Sequence, residues 1–133
     1  MNSYKGPRMI YGNLLAQAPS KPPIKVGVVG AGSYGSAIIT QSPAVAHYEV
    51  TFVADVDLEA ARRACRLAGW DERRVAVAEA ESDVRRARNQ GKVVISAHPE
   101  LMAAGDVEVV VEATGHAEAG ARSALAAFAA GRH

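Results

Sequence analysis

Residues Ile24 to Gly35 read IKVGVVGAGSYG, a short apolar run rich in β-branched residues that ends in Gly30-Ala31-Gly32-Ser33-Tyr34-Gly35. Such a run, bounded by glycine, predicts a strand buried on both faces. The G-x-G-x-x-G spacing predicts a tight turn opening a helix at Ser33. Each glycine has a separate task. Gly30 turns the chain off the strand, Gly32 leaves the backbone bare where a pyrophosphate would lie, and Gly35 lets helix and strand pack closely. The first amides of the helix and its positive dipole end then offer donors to phosphate oxygens.

Working outward, Ser33 to Gln41 reads as a helix stopped by Ser42-Pro43, and Tyr48 to Ala54 (YEVTFVA) reads as a second strand. Asp55 follows that strand 20 positions after Gly35 (55 minus 35). A carboxylate there accepts hydrogen bonds from adenosine ribose hydroxyls and repels a 2′-phosphate, which favours NAD, with NADP as the alternative if Arg62 or Arg63 swings toward a phosphate. The competing reading of Asp55 is a capping or loop aspartate, but Asp57 is better placed to cap the next helix. That helix repeats Leu58, Ala61, Cys65 and Ala68 at helical spacing and closes at Gly69. Val75 to Ala78 reads as a brief strand, Glu79 to Gln90 as a helix and Lys92 to Ser96 as another strand. Pro99 to Ala104 reads as one or two helical turns, and Val107 to Gly115 (VEVVVEATG) as a strongly buried strand running into a turn. Ala117 to Ala130 reads as a helix with Ala121, Leu125 and Phe128 on one face, ended by Gly131.

Strands alternating with helices imply right-handed crossovers and parallel pairing. The expected fold class is therefore α/β, a Rossmann-type doubly wound parallel sheet, with residues 1–23 an N-terminal arm carrying a short helix at Met9 to Ala16, and 24–133 a partial dinucleotide-binding domain. A second set of site residues, Ala113, Thr114 and Gly115, follows Glu112 at the carboxyl end of VEVVVE. Ligands of open parallel sheets sit beyond those ends, where strand order reverses. The plainer reading is a strand-to-helix turn with Thr114 as a cap. Glu112 is either an acid facing the crevice or an edge residue.

Composition narrows the partners. A formal net charge of +1 gives no broad field for nucleic acid or an anionic membrane. No apolar run approaches the roughly 18 residues that span a bilayer, and no signal-peptide core precedes Ile24, so a cytoplasmic protein is expected. The single cysteine, Cys65, is read as a small apolar residue on a buried helix face. No Cys/His metal spacing, Walker lysine or nucleophile elbow occurs, and His116 is read as a solvated loop residue rather than a base. No catalytic residue and no metal ligand is assigned.

The segments VGVVGAGSYG, VTFVADVD, KVVISAHPEL and DVEVVVEATGHAEAGARSALAAFAAGRH together resemble the NAD(P)-binding region of homoserine dehydrogenase-like oxidoreductases, above all the predicted homoserine dehydrogenases with a C-terminal SAF domain. The resemblance runs from about Ile24 to His133. It implies a dehydrogenase moving hydride between nicotinamide and a small hydroxy or oxo substrate, with Gly30, Gly32, Gly35, Asp55, Thr114 and Gly115 against the dinucleotide. The Gfo/Idh/MocA sugar oxidoreductases share the glycines and the acid and rank second. An NAD(H)-sensing regulatory module is the non-enzymatic alternative, and S-adenosylmethionine fits less well because it lacks a pyrophosphate.

Enzymes of this kind continue past a segment like AAGRH into another buried strand and a catalytic domain. The chain is therefore expected to be truncated before that domain and inactive alone. The strand at Val107 to Val111 would then be left with exposed apolar surface and an open edge. The expected outcome is a chain that is marginally stable or that self-associates, as a homo-oligomer or otherwise; a highly stable, monodisperse monomer in sedimentation would contradict it.

Overall fold

The computed structural model describes residues 21–133. The expected arm helix at Met9 to Ala16, and all but the last three residues of the arm, lie outside the described residues. Strand β1 (Ile24–Val29) leads into helix α1 (Ser33–Gln41), and a 3-10 turn at Ser42–Ala44 leads into β2 (Tyr48–Ala54). There follow α2 (Leu58–Leu67), β3 (Val75–Val77), α3 (Glu81–Asn89), β4 (Val93–Ser96), a 3-10 helix at Pro99–Ala104, β5 (Val109–Glu112) and α4 (Ala117–Ala129). The five strands form one sheet in the order β3-β4-β2-β1-β5, and every pairing is parallel. This is the Rossmann-type α/β fold expected from the alternation of elements.

The helices begin and end for local reasons. The Asp57 carboxylate accepts from Glu59 N and Ala60 N and so caps α2, as its position suggested. Asp83 reaches back to the backbone amides of Glu79 and Ala80, which delays α3 to Glu81 rather than the expected Glu79. Gly69, with φ of +80°, takes the left-handed conformation that ends α2. Two core layers sandwich the sheet. On one face Val28, Val50, Val53 and Ile95 pack beneath Ile39 of α1 and Ala61, Ala64 and Cys65 of α2. On the other, Val29, Phe52, Ala54 and Val94 meet Val84 and Ala87 of α3 and Met102 of the 3-10 helix. Burial pushes the Cys65 thiol up to about 11, against the lowering pull of Arg62 and Arg66, in keeping with its core role.

Two expectations are corrected. β5 is half-buried rather than strongly buried, because among the described strands it pairs only with β1. Its other side receives only His133, which donates to Glu108 O and accepts from Val110 N. The face of α4 carrying Ala121, Leu125 and Phe128 points outward: Leu125 and Phe128 are each 68% exposed, and Ala127 is the buried residue. α4 thus lays its small residues toward β5 and the 3-10 helix.

An ion pair ties the loop before β5 to α3. Arg88 Nε donates to Asp106 Oδ1 at 2.8 Å, and Lys25 Nζ lies 3.4 Å from Asp106 Oδ2. Desolvation alone would raise the Asp106 carboxyl, but the Arg88 hydrogen bonds and charge outweigh it and hold the group below its ordinary 3.8. A carboxyl depressed by folding stabilises the fold above its unfolded value, and that contribution disappears as pH falls through the folded value. Below about pH 4 the native chain should therefore lose melting temperature more steeply than Asp106→Asn, with the two curves converging in strong acid. Parallel curves in a calorimetric pH series would refute this.

Candidate functional site

The carboxyl ends of β2, β1 and β5 lie side by side and present Asp55, Gly30 and Ala113 in a row. At β1 the strand order reverses, since the chain moves first to β2 and later returns to β5 on the opposite side. A crevice of about 800 Å³ opens there, with Gly30, Gly32, Asp55, Ala113, Thr114 and His116 on its walls. That is where ligands of open α/β sheets bind.

Two of the three motif glycines are demanded by the protein itself. Gly30 has φ of +96°, and a Cβ there would stand 2.8–2.9 Å from the backbone of Ala113 and Thr114. Gly35 lies so close beneath the turn that its Cβ would meet Gly30 O at 1.8 Å. Gly32 is different. Its backbone is extended, with φ of −71° and ψ of −161°, and nothing lies within 4 Å of the Cβ position. No packing accounts for glycine there, whereas a ligand lying against the backbone does. Gly32 also occupies the N-cap of α1, which has no side-chain cap, so the first amides of the helix remain for an acceptor from outside.

Asp55 is held by backbone. Its Oδ2 accepts from Ala31 N at 2.7 Å and its Oδ1 from Asp57 N at 2.8 Å. The acid is thus fixed beside the glycine turn with lone pairs to spare for hydroxyl donors. Across the crevice, Glu112 Oε1 accepts from Thr114 N at 2.8 Å and from the Thr114 hydroxyl, while Thr114 Oγ1 accepts from His116 N at 3.2 Å. Glu112 is therefore an exposed edge residue folded back onto the turn. The N-cap of α4 is His116 and not Thr114.

Of the residues singled out by sequence, the crevice gathers Gly30, Gly32, Asp55, Ala113 and Thr114. Ala31 is buried and offers its amide to Asp55. Gly35 lies under the turn, Ser33 and Gly115 are exposed, and the Tyr34 side chain is 67% exposed outside the walls. The crevice also recruits Val56, Pro99, Glu100, Arg122 and Arg132, which sequence reasoning missed. Pro99 and Glu100 follow β4, so the strand-end rule applied there would have found them. Arg122 and Arg132 arrive on α4 and just past its end, from a distance no local signal encodes. Among the described residues no cluster of three or more His, Cys, Asp or Glu could hold a metal ion, and no helix is long and apolar enough to cross a membrane.

No protein-family model and no curated protein matches the sequence. Solved structures do match. A myo-inositol dehydrogenase from Lactobacillus casei, crystallised with NAD(H) and myo-inositol, aligns with a TM-score of 0.53 and 25% identity over 77% of this chain and 25% of its own. The scyllo-inositol dehydrogenase of the same organism, with NAD(H) and scyllo-inositol, gives 0.52 and 19% over 84% of this chain and 26% of its own. Its apo form gives 0.52 and 19%, with 84% and 27% covered. The chain thus spans about a quarter of the length of these enzymes. The two scyllo-inositol dehydrogenase structures speak to the fold alone.

The contrast between the glycines gives a direct test. Gly35→Ala should lower stability by roughly 1–3 kcal/mol, because a methyl against Gly30 O forces α1 off the sheet. Gly32→Ala should melt at the native temperature. Equal melting temperatures for the two variants would refute this account of the turn.

Proposed function

We propose that this chain is the NAD-binding portion of an oxidoreductase that moves hydride between nicotinamide and a small hydroxy or oxo substrate. The observation that carries the reading is the uncapped start of α1 at Gly32, a bare backbone facing a crevice with Asp55 fixed beside it. The first amides of α1 would hold the diphosphate, and Asp55 would take the adenosine ribose hydroxyls. The remaining half of the dinucleotide would then fall against Ala113, Thr114 and Gly115. Ser33, Tyr34 and Gly35 would supply those amides, while Ala31 anchors Asp55 and Gly35 lets the turn close. When bound, the cofactor supplies the redox chemistry, and the protein supplies binding and orientation. No residue among 21–133 is proposed as the catalytic acid or base.

For the substrate class, the 25%-identical myo-inositol dehydrogenase structure favours the Gfo/Idh/MocA alternative over the homoserine dehydrogenase-like reading. A cyclic polyol is accordingly the substrate class proposed for the whole protein. The NAD preference follows from the Asp55 carboxylate, which would repel a 2′-phosphate; NADP remains the weaker ligand on this reading.

Calorimetric titration with NAD, NADP and S-adenosylmethionine tests the reading. NAD should bind tightest, and Asp55→Ala should weaken it about tenfold, the worth of lost hydrogen bonds to a charged acceptor. Unchanged NAD affinity in that variant would remove the ribose assignment, and tighter binding of S-adenosylmethionine would remove the oxidoreductase reading.

A further inference from the structure

We propose that Glu112 is a positioning residue that holds the Ala113–Gly115 turn in place for the nicotinamide half of the dinucleotide, acting through Thr114 and without touching the ligand. This deepens the dinucleotide-binding reading and rests on it. Three observations support it. First, both donors of Thr114, its amide and its hydroxyl, are committed to one oxygen of the Glu112 carboxylate, and the hydroxyl oxygen in turn accepts from His116 N. Second, α4 accommodates the carboxylate with a glycine: a Cβ on Gly120 would stand 2.9 Å from Glu112 Oε2 and 3.1 Å from its Cδ. Third, Ala113, Thr114 and His116 line the crevice wall and Glu112 does not.

The position of the turn along the crevice decides which half of the ligand it serves. Strand ends β2, β1 and β5 lie in that order, carrying Asp55, Gly30 and Ala113. With the adenosine ribose at Asp55 and the diphosphate over the Gly30 turn, the part beyond the second phosphate falls at β5. Three contacts fix the turn there: the Ala113 amide donating to Val29 O at 2.8 Å, the close approach of Ala113 and Thr114 to Gly30, and the Glu112 clamp. Removing the clamp frees two donors and loosens a wall that only the far half of the ligand meets.

The experiment titrates the full chain and its variants with NAD and with ADP, which lacks the nicotinamide ribose. Glu112→Ala should weaken NAD about tenfold and leave ADP within about twofold of native. Glu112→Gln, whose amide oxygen can accept the same two bonds, should restore NAD binding. Gly120→Ala, whose methyl would crowd the movable end of the Glu112 side chain, should weaken NAD by less than Glu112→Ala does while raising the melting temperature or leaving it unchanged, because alanine favours the helix. Equal loss of NAD and ADP in Glu112→Ala, or no loss of either in Glu112→Ala and Gly120→Ala, would overturn the proposal while leaving dinucleotide binding intact. A native chain that binds neither NAD nor ADP would instead overturn the dinucleotide reading, and the role of Glu112 with it.

Discussion

At the end of β1 three stretches of backbone meet with no side chain between them. Gly35 of α1 lies under the carbonyl of Gly30, and the Ala113–Thr114 backbone lies over its Cα. This contact sets how near α1 stands to the sheet, and with it where the first amides of the helix point. It also brings the turn after β5 against the turn after β1, although more than 80 residues separate Gly30 from Ala113 (113 minus 30). Close packing transmits such constraints, since a methyl group at either glycine has nowhere to go. The crevice is the space left beyond this contact.

Around it, polar groups are arranged so that the protein satisfies some and leaves others. Asp55 takes the Ala31 and Asp57 amides and is thereby anchored. Thr114 is held by Glu112. The first amides of α1 receive no side-chain cap, and neither do those of α3 or α4, whereas Asp57 caps α2. What sets the bare start at Gly32 apart is the empty space at its Cβ position and the Asp55 carboxylate fixed beside it where the crevice opens.

Much of the architecture was legible from local pattern. β1, α1 and β2 lie where the β-branched runs and the Ser42-Pro43 stop put them, and Asp57 caps α2 through its own carboxylate. These features depend on neighbours within a few residues, which a single sequence records. Glycine spacing likewise located the turn and its approach to the next helix. The finer resemblance, to homoserine dehydrogenases, rested on segments such as VEATG, whereas the 25%-identical solved structure described above is a myo-inositol dehydrogenase. A strand-turn-helix segment reports the scaffold, while substrate choice depends on groups the scaffold alone does not carry.

What the sequence determined by itself was therefore the alternation of elements, the glycine turn and the acid that follows the second strand, because each follows from local propensity and period. The rest needed the sheet. Thr51 is an extra residue where Val26 faces Val50 and Gly27 faces Phe52, and past it the side-chain alternation of β2 inverts. Phe52 and Ala54 consequently pack on one face and Val53 on the other, the side from which Asp55 continues toward Ala31. A bulge is a property of two paired strands, and neither strand announces it. The same holds for the outward Leu125 and Phe128 and for the half-buried β5, since exposure is decided by which neighbours a residue meets, and those meetings are long-range.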